Sequence, residues 1–100
     1  MSRFVLTPAA RGDLEGIVDY IAKDSPDAAQ RVRRELRDSM RKLARTPGMG
    51  HFRSDLSDEP LRFWQVYSFL IIYRPETRPL QIVRVLRAAR DVRTILLFEE

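Results

Sequence analysis

Two short signals constrain this chain most: Thr7-Pro8 and Ser25-Pro26 each place a hydroxyl residue before a proline. A threonine or serine at a helix N-cap accepts a hydrogen bond from the first turn, and proline at the next position loses no N–H that the helix would have used. Each pair therefore starts a helix, and the second also ends the first, because the residue before a proline avoids helical geometry. After Thr7, the residues Ala10, Leu14, Ile17, Val18 and Ile21 recur at steps of three and four, leaving Arg11, Asp13, Glu15, Asp19 and Lys23 for the opposite face. After Ser25, Ala29, Val32, Leu36, Met40 and Leu43 repeat the pattern until Pro47-Gly48 stops it. Two amphipathic helices in immediate succession must form an antiparallel hairpin.

The rest of the chain changes period. Phe4-Val5-Leu6 is a short strand that feeds the first helix, and the stretch 47–60, rich in glycine, proline and polar residues, reads as a loop. Beyond it, Arg62 to Tyr67, Phe69 to Arg74 and Leu80 to Leu86 are rich in aromatic and branched residues and read as three strands. A tight turn near Ser68 and a longer one over Pro75–Pro79 make them an antiparallel meander. In the middle strand Leu70 and Ile72 face one way and Phe69, Ile71 and Tyr73 the other, so both faces of the sheet need cover. The helical hairpin supplies one cover. Arg90 to Phe98, with Val92, Ile95, Leu96 and Leu97, supplies part of the other as a short C-terminal helix. The expected class is α+β in a single domain over residues 1–100, a length at which folding buries roughly two thirds of the unfolded surface.

Composition narrows the chemistry. Without cysteine there is no disulfide, thiolate metal site or thiol nucleophile; no metal site or cofactor is expected. No apolar run resembles a signal peptide or approaches the roughly 20 residues of a membrane span, so the expected location is the cytoplasm. The formal charge is +4, and of 18 basic residues only Lys23 and Lys42 are lysine. A planar guanidinium suits phosphate or carboxylate, although a GC-rich genome would give the same bias. Arg34, Arg37, Arg41 and Arg45 share one stripe of the second helix, which reads as a solvated face, with a contact surface as the alternative.

Three stretches, in this order, resemble the ParE/RelE toxins of type II bacterial toxin–antitoxin pairs. Leu6-Thr7-Pro8-Ala9-Ala10-Arg11 through Tyr20-Ile21-Ala22 is similar to the family's opening strand and first helix. Leu61 to Val66 with Phe69 to Arg74 is similar to its central hairpin, and Ile82 to Leu86 with Ala88-Ala89-Arg90-Asp91 to its closing strand. The chain departs from the family at Arg87, where many relatives carry histidine, and at Tyr67, which occupies a hairpin turn that often holds glycine.

The resemblance implies a cognate ParD/RelB-like antitoxin, a hetero-oligomer with it, and one of two activities. RelE-like members cleave messenger RNA on the ribosome, which requires a base for the 2′-hydroxyl, cations for the transition state and an acid for the leaving oxygen. Arg62, Tyr73, Arg84 and Arg87 are the residues for that reading, with Glu59 or Asp91 as conditional bases; His51, the one histidine, reads as a surface loop residue. ParE-like members bind DNA gyrase and poison its cleavage cycle, which needs a surface rather than a reaction centre. For antitoxin or target contact the candidates are Arg34, Arg37, Arg41, Arg74, Arg84, Arg87 and Arg90. The scarcity of proton carriers favours the gyrase reading. Direct binding of nucleic acid is expected to be weak or indirect; the competing view is a non-toxic module that stacks bases on Phe63, Trp64, Tyr67, Phe69 and Tyr73, although most of these rings are expected to fill the core.

Overall fold

Phe4–Leu6 forms strand β1, Pro8–Ala22 helix α1 and Pro26–Arg45 helix α2 in the computed structural model, which describes residues 3–98; Met1, Ser2, Glu99 and Glu100 lie outside the described residues. Both expected caps are made: Ala10 N–H donates to Thr7 Oγ1 at 3.0 Å and Ala28 N–H to Ser25 Oγ at 3.1 Å. The chain continues through a 3-10 turn at Pro47–Met49, β2 at His51–Phe52, β3 at Arg62–Val66, β4 at Phe69–Arg74, β5 at Leu80–Arg87 and α3 at Val92–Leu97.

The sheet order is β1-β5-β4-β3-β2. The expected meander is its centre, antiparallel throughout, and β1 adds to one edge in parallel with β5. Side-chain alternation divides the core as the strand pattern predicts. Phe69, Ile71 and Tyr73 pack with Leu14, Ile17, Leu36, Met40 and Leu43 beneath the helical hairpin. Leu70, Ile72 and Phe63 pack on the other face with Val92 and Leu96 of α3. Each such fully buried aliphatic side chain contributes roughly 1.5–3 kcal/mol.

Three expectations are corrected. The stretch 47–60 is not wholly loop, because His51 and Phe52 pair with Phe63 and Arg62 as a short edge strand. His51 therefore lies on the sheet edge rather than away from the strands, and it is exposed. Asp13 does not sit on the solvent face of α1, since its side chain is 12% exposed and engaged by β5. The aromatic residues mostly fill the core, as expected, rather than form the competing stacking platform: Phe63, Phe69 and Tyr73 are buried, Trp64 packs against the helix-side core, and only Tyr67 of the five is exposed. That tyrosine takes the hairpin turn at φ 55°, a left-handed conformation that glycine adopts without strain.

A β-bulge shapes the edge of β5. Arg84 pairs with Ile72 and Ile82 with Tyr73, so Val83 has no partner across the ladder. The Thr7 hydroxyl, besides capping α1, donates to the Val83 carbonyl at 2.8 Å. Asp13 then accepts from Val85 N–H at 3.0 Å. Where β1 ends, side chains at the start of α1 thus take over the hydrogen bonding along β5.

Candidate functional site

The candidate arginines do not converge on one cleft, and α1 separates several of them. On its α2 side, Arg37 is half-buried in a groove with Arg11, Glu15 and Arg33, its guanidinium 5.5 Å from the Phe4 ring. Arg41 pairs with Asp38 at 2.7 Å on the outer surface, and Arg34 is exposed nearby on the same helix. On the β5 side, Arg87 and Arg90 line a groove of about 490 Å³ with Gly12, Gly16 and Tyr20. Arg87 lies over the rings of Tyr20 at 5.1 Å and Phe69 at 5.6 Å. Arg74 sits on the opposite face of the sheet beside Glu59, 3.4 Å away, in a hollow bordered by Leu61 and Leu96.

Two other candidates hold the fold together. Arg62 Nη1 donates to the carbonyl of Gly50 at 2.6 Å, and its guanidinium stacks over Phe52 at 4.0 Å. Arg84 donates from Nε and Nη2 to the two Asp13 oxygens at 2.6 and 2.7 Å. A bidentate pair of this kind, with little solvent around it, aligns α1 against β5. Asp13 is the participant that sequence reading missed: its partner is 71 residues away, and no local pattern announces such a contact.

The proton carriers are placed as follows. Tyr73 is fully buried; its hydroxyl donates to the Pro47 carbonyl at 2.6 Å and accepts from Gly50 N–H at 2.9 Å. Burial pushes its pKa up, partly offset by the Gly50 hydrogen bond and the Arg62 charge. Tyr67 is exposed, and the Glu35 carboxylate beside it also pushes its pKa up. Asp91 is the N-cap of α3, accepting from the Thr94 hydroxyl at 2.7 Å and the Thr94 amide at 3.2 Å, which together hold its carboxyl below the usual range. Among the described residues no cluster of acidic or histidine side chains is arranged to hold a metal, and no helix is long and apolar enough to cross a membrane.

Residues 4–92 match the family model described as the ParE toxin of a type II toxin–antitoxin system, parDE. This chain belongs to the ParE toxin family. Its fold is similar to that of a solved chain from the chromosomal ParDE toxin–antitoxin system of P. aeruginosa, with a TM-score of 0.69 and 24% identity, covering 87% of this chain and 96% of that one. No curated protein sequence gives a significant match. The ParE match takes in α1, α2 and every strand, so Asp13, Arg84, Arg87 and Arg90 all fall within the family region. Tyr20, exposed beneath Arg87, is a further ParE surface residue that sequence reading did not single out.

Proposed function

We propose that this ParE-family chain is the toxin of a type II pair, neutralised by a cognate ParD/RelB-like antitoxin, and that it acts by binding DNA gyrase rather than by cutting RNA. The single observation that carries this choice is the environment of Tyr73. An acid for the leaving oxygen must reach the substrate, whereas this hydroxyl is buried, satisfied by two loop groups and shifted away from neutrality. Arg84, another residue of the nuclease reading, is tied to Asp13. What remains accessible is a set of arginine-bearing grooves, and such surfaces suit association with an acidic partner.

A purified-gyrase supercoiling assay tests the target. Inhibition with accumulation of cleaved DNA is the expected result; full gyrase activity at a large excess of the chain refutes the reading. Induction of the chain alone in a bacterial host, with and without the protein encoded beside it, tests the pair: growth arrest relieved by the neighbour is expected. A gyrase target places the action in the cytoplasm, and the resting form is a hetero-oligomer with the antitoxin.

A further inference from the structure

Arg87 is a cation held in place by aromatic contact. Its guanidinium lies over the rings of Tyr20 at 5.1 Å and Phe69 at 5.6 Å, which fixes the plane of the group and leaves its N–H edge to an anion. A side chain ordered in advance loses little entropy on binding. Arg90 lines the same groove, because its N–H donates to the Arg87 carbonyl at 3.1 Å and closes a turn after β5. Ala88 N–H, donating to the Ser68 carbonyl at 2.8 Å, ties that turn to the β3–β4 hairpin.

Neither arginine forms an ion pair among the described residues. The carboxylate in the groove, Asp13, is held by Arg84 and Val85 N–H, and Asp91, next to Arg90 in sequence, caps α3 through Thr94. The other arginine-bearing grooves differ. Glu15 and Asp19 line the one on the α2 side, and Glu59 sits beside Arg74 in the hollow on the opposite face of the sheet. A polyanion drawn to a chain of net charge +4 therefore meets unopposed cations between α1 and β5, and like charge in the other two places.

The groove also has room. α1 turns Gly12 and Gly16 toward it, and a Cβ on either would meet nothing within 4 Å. Its volume of about 490 Å³ lies within the roughly 300–1,000 Å³ of small-ligand sites, enough for one nucleotide unit of a strand.

We propose that this groove is a phosphate-binding site for one strand of DNA, with a backbone phosphate on the guanidinium edges of Arg87 and Arg90. Contacts of this kind position a strand without reading its bases. The setting rests on the gyrase reading above: a toxin bound to gyrase lies beside DNA, and that proximity makes a weak contact effective.

The test is fluorescence anisotropy of a labelled single-stranded oligonucleotide titrated with the full chain at several salt concentrations, with a nucleoside monophosphate as competitor. Three variants are compared with wild type: Arg87→Gln with Arg90→Gln, Gly16→Leu, and Arg31→Gln with Arg45→Gln, which removes two exposed charges from α2. Gly16→Leu fills the groove without changing charge, and leucine, the better helix former at an exposed helical site, keeps the thermal midpoint. The expected losses of affinity are about tenfold or more in the first two variants and under about threefold in the third. With two phosphate contacts gone, the slope of log affinity against log salt should become shallower by about 1.4 for the Arg87 and Arg90 pair.

Equal losses in the two arginine pairs, or an unchanged affinity in Gly16→Leu, mean diffuse charge attraction and overturn the proposal. Displacement of the strand by the mononucleotide at equal concentration assigns the groove to free nucleotides and overturns it too, as does a wild-type chain that leaves the strand unbound at low salt. Each of these outcomes leaves the gyrase reading intact, since inhibition of supercoiling is measured separately. A chain without effect on gyrase removes the setting, while the expected pattern of losses still establishes the site.

Discussion

Asp13 and Arg84 meet through two hydrogen bonds of 2.6 and 2.7 Å, and the same carboxylate takes the Val85 amide at 3.0 Å, so one side chain of α1 fixes both the charge and the backbone of β5. Arg84→Met leaves a largely buried carboxylate without its cation and should destabilise the fold by about 3 kcal/mol. Asp13→Leu with Arg84→Met should cost less than the sum of the single changes. Urea unfolding of the four proteins of this cycle measures the difference.

Gly50 has a second structural role beside Tyr73. A Cβ at this position would lie 2.5 Å from the Tyr73 hydroxyl and 3.0 Å from the Phe63 carbonyl. Gly50→Ala should therefore cost about 2 kcal/mol through overpacking against a buried ring and backbone. Tyr73→Phe, which leaves the Pro47 carbonyl and Gly50 amide unpaired, should cost about 1–2 kcal/mol in the same unfolding assay.

The alkaline limb of stability reports on the same ring. Tyr73 has its pKa raised in the folded state, so its contribution is complete below the unfolded phenol value near 10 and is lost as pH rises through the folded value. Wild-type stability should fall above about pH 10. Tyr73→Phe should show a shallower fall over that range, measured by urea midpoints at successive pH values.

Tyr67 holds a left-handed turn with a non-glycine residue. Its ring is exposed, so little packing is lost on removing it. Tyr67→Gly should raise the thermal midpoint by about 4 °C, and Tyr67→Val should lower it, because a branched side chain fits this conformation worst. Calorimetry of the three proteins decides the sign.

Elements governed by local spacing were legible before folding. Thr7-Pro8 and Ser25-Pro26 mark the true helix starts because caps act within one turn, and the alternation of Phe69 to Tyr73 assigns the two core faces because strand geometry has a period of two. His51–Phe52 was hidden since two residues carry no measurable period and gain their strand character only from β3. Of the candidate surface, arginines on α2 were visible as a stripe, yet their distribution on either side of α1 was not.

The sequence by itself determined the α+β class, the helical hairpin, the meander and its two apolar faces, because each follows from hydrophobic period, caps and turn residues along a short stretch of chain. Only the tertiary structure decided which arginines are structural. Arg84 and Arg87 lie on the same strand, but one meets a carboxylate and the other aromatic rings. The difference arises from where α1 crosses β5, a relation set by packing the whole helix rather than by any residue adjacent to either arginine.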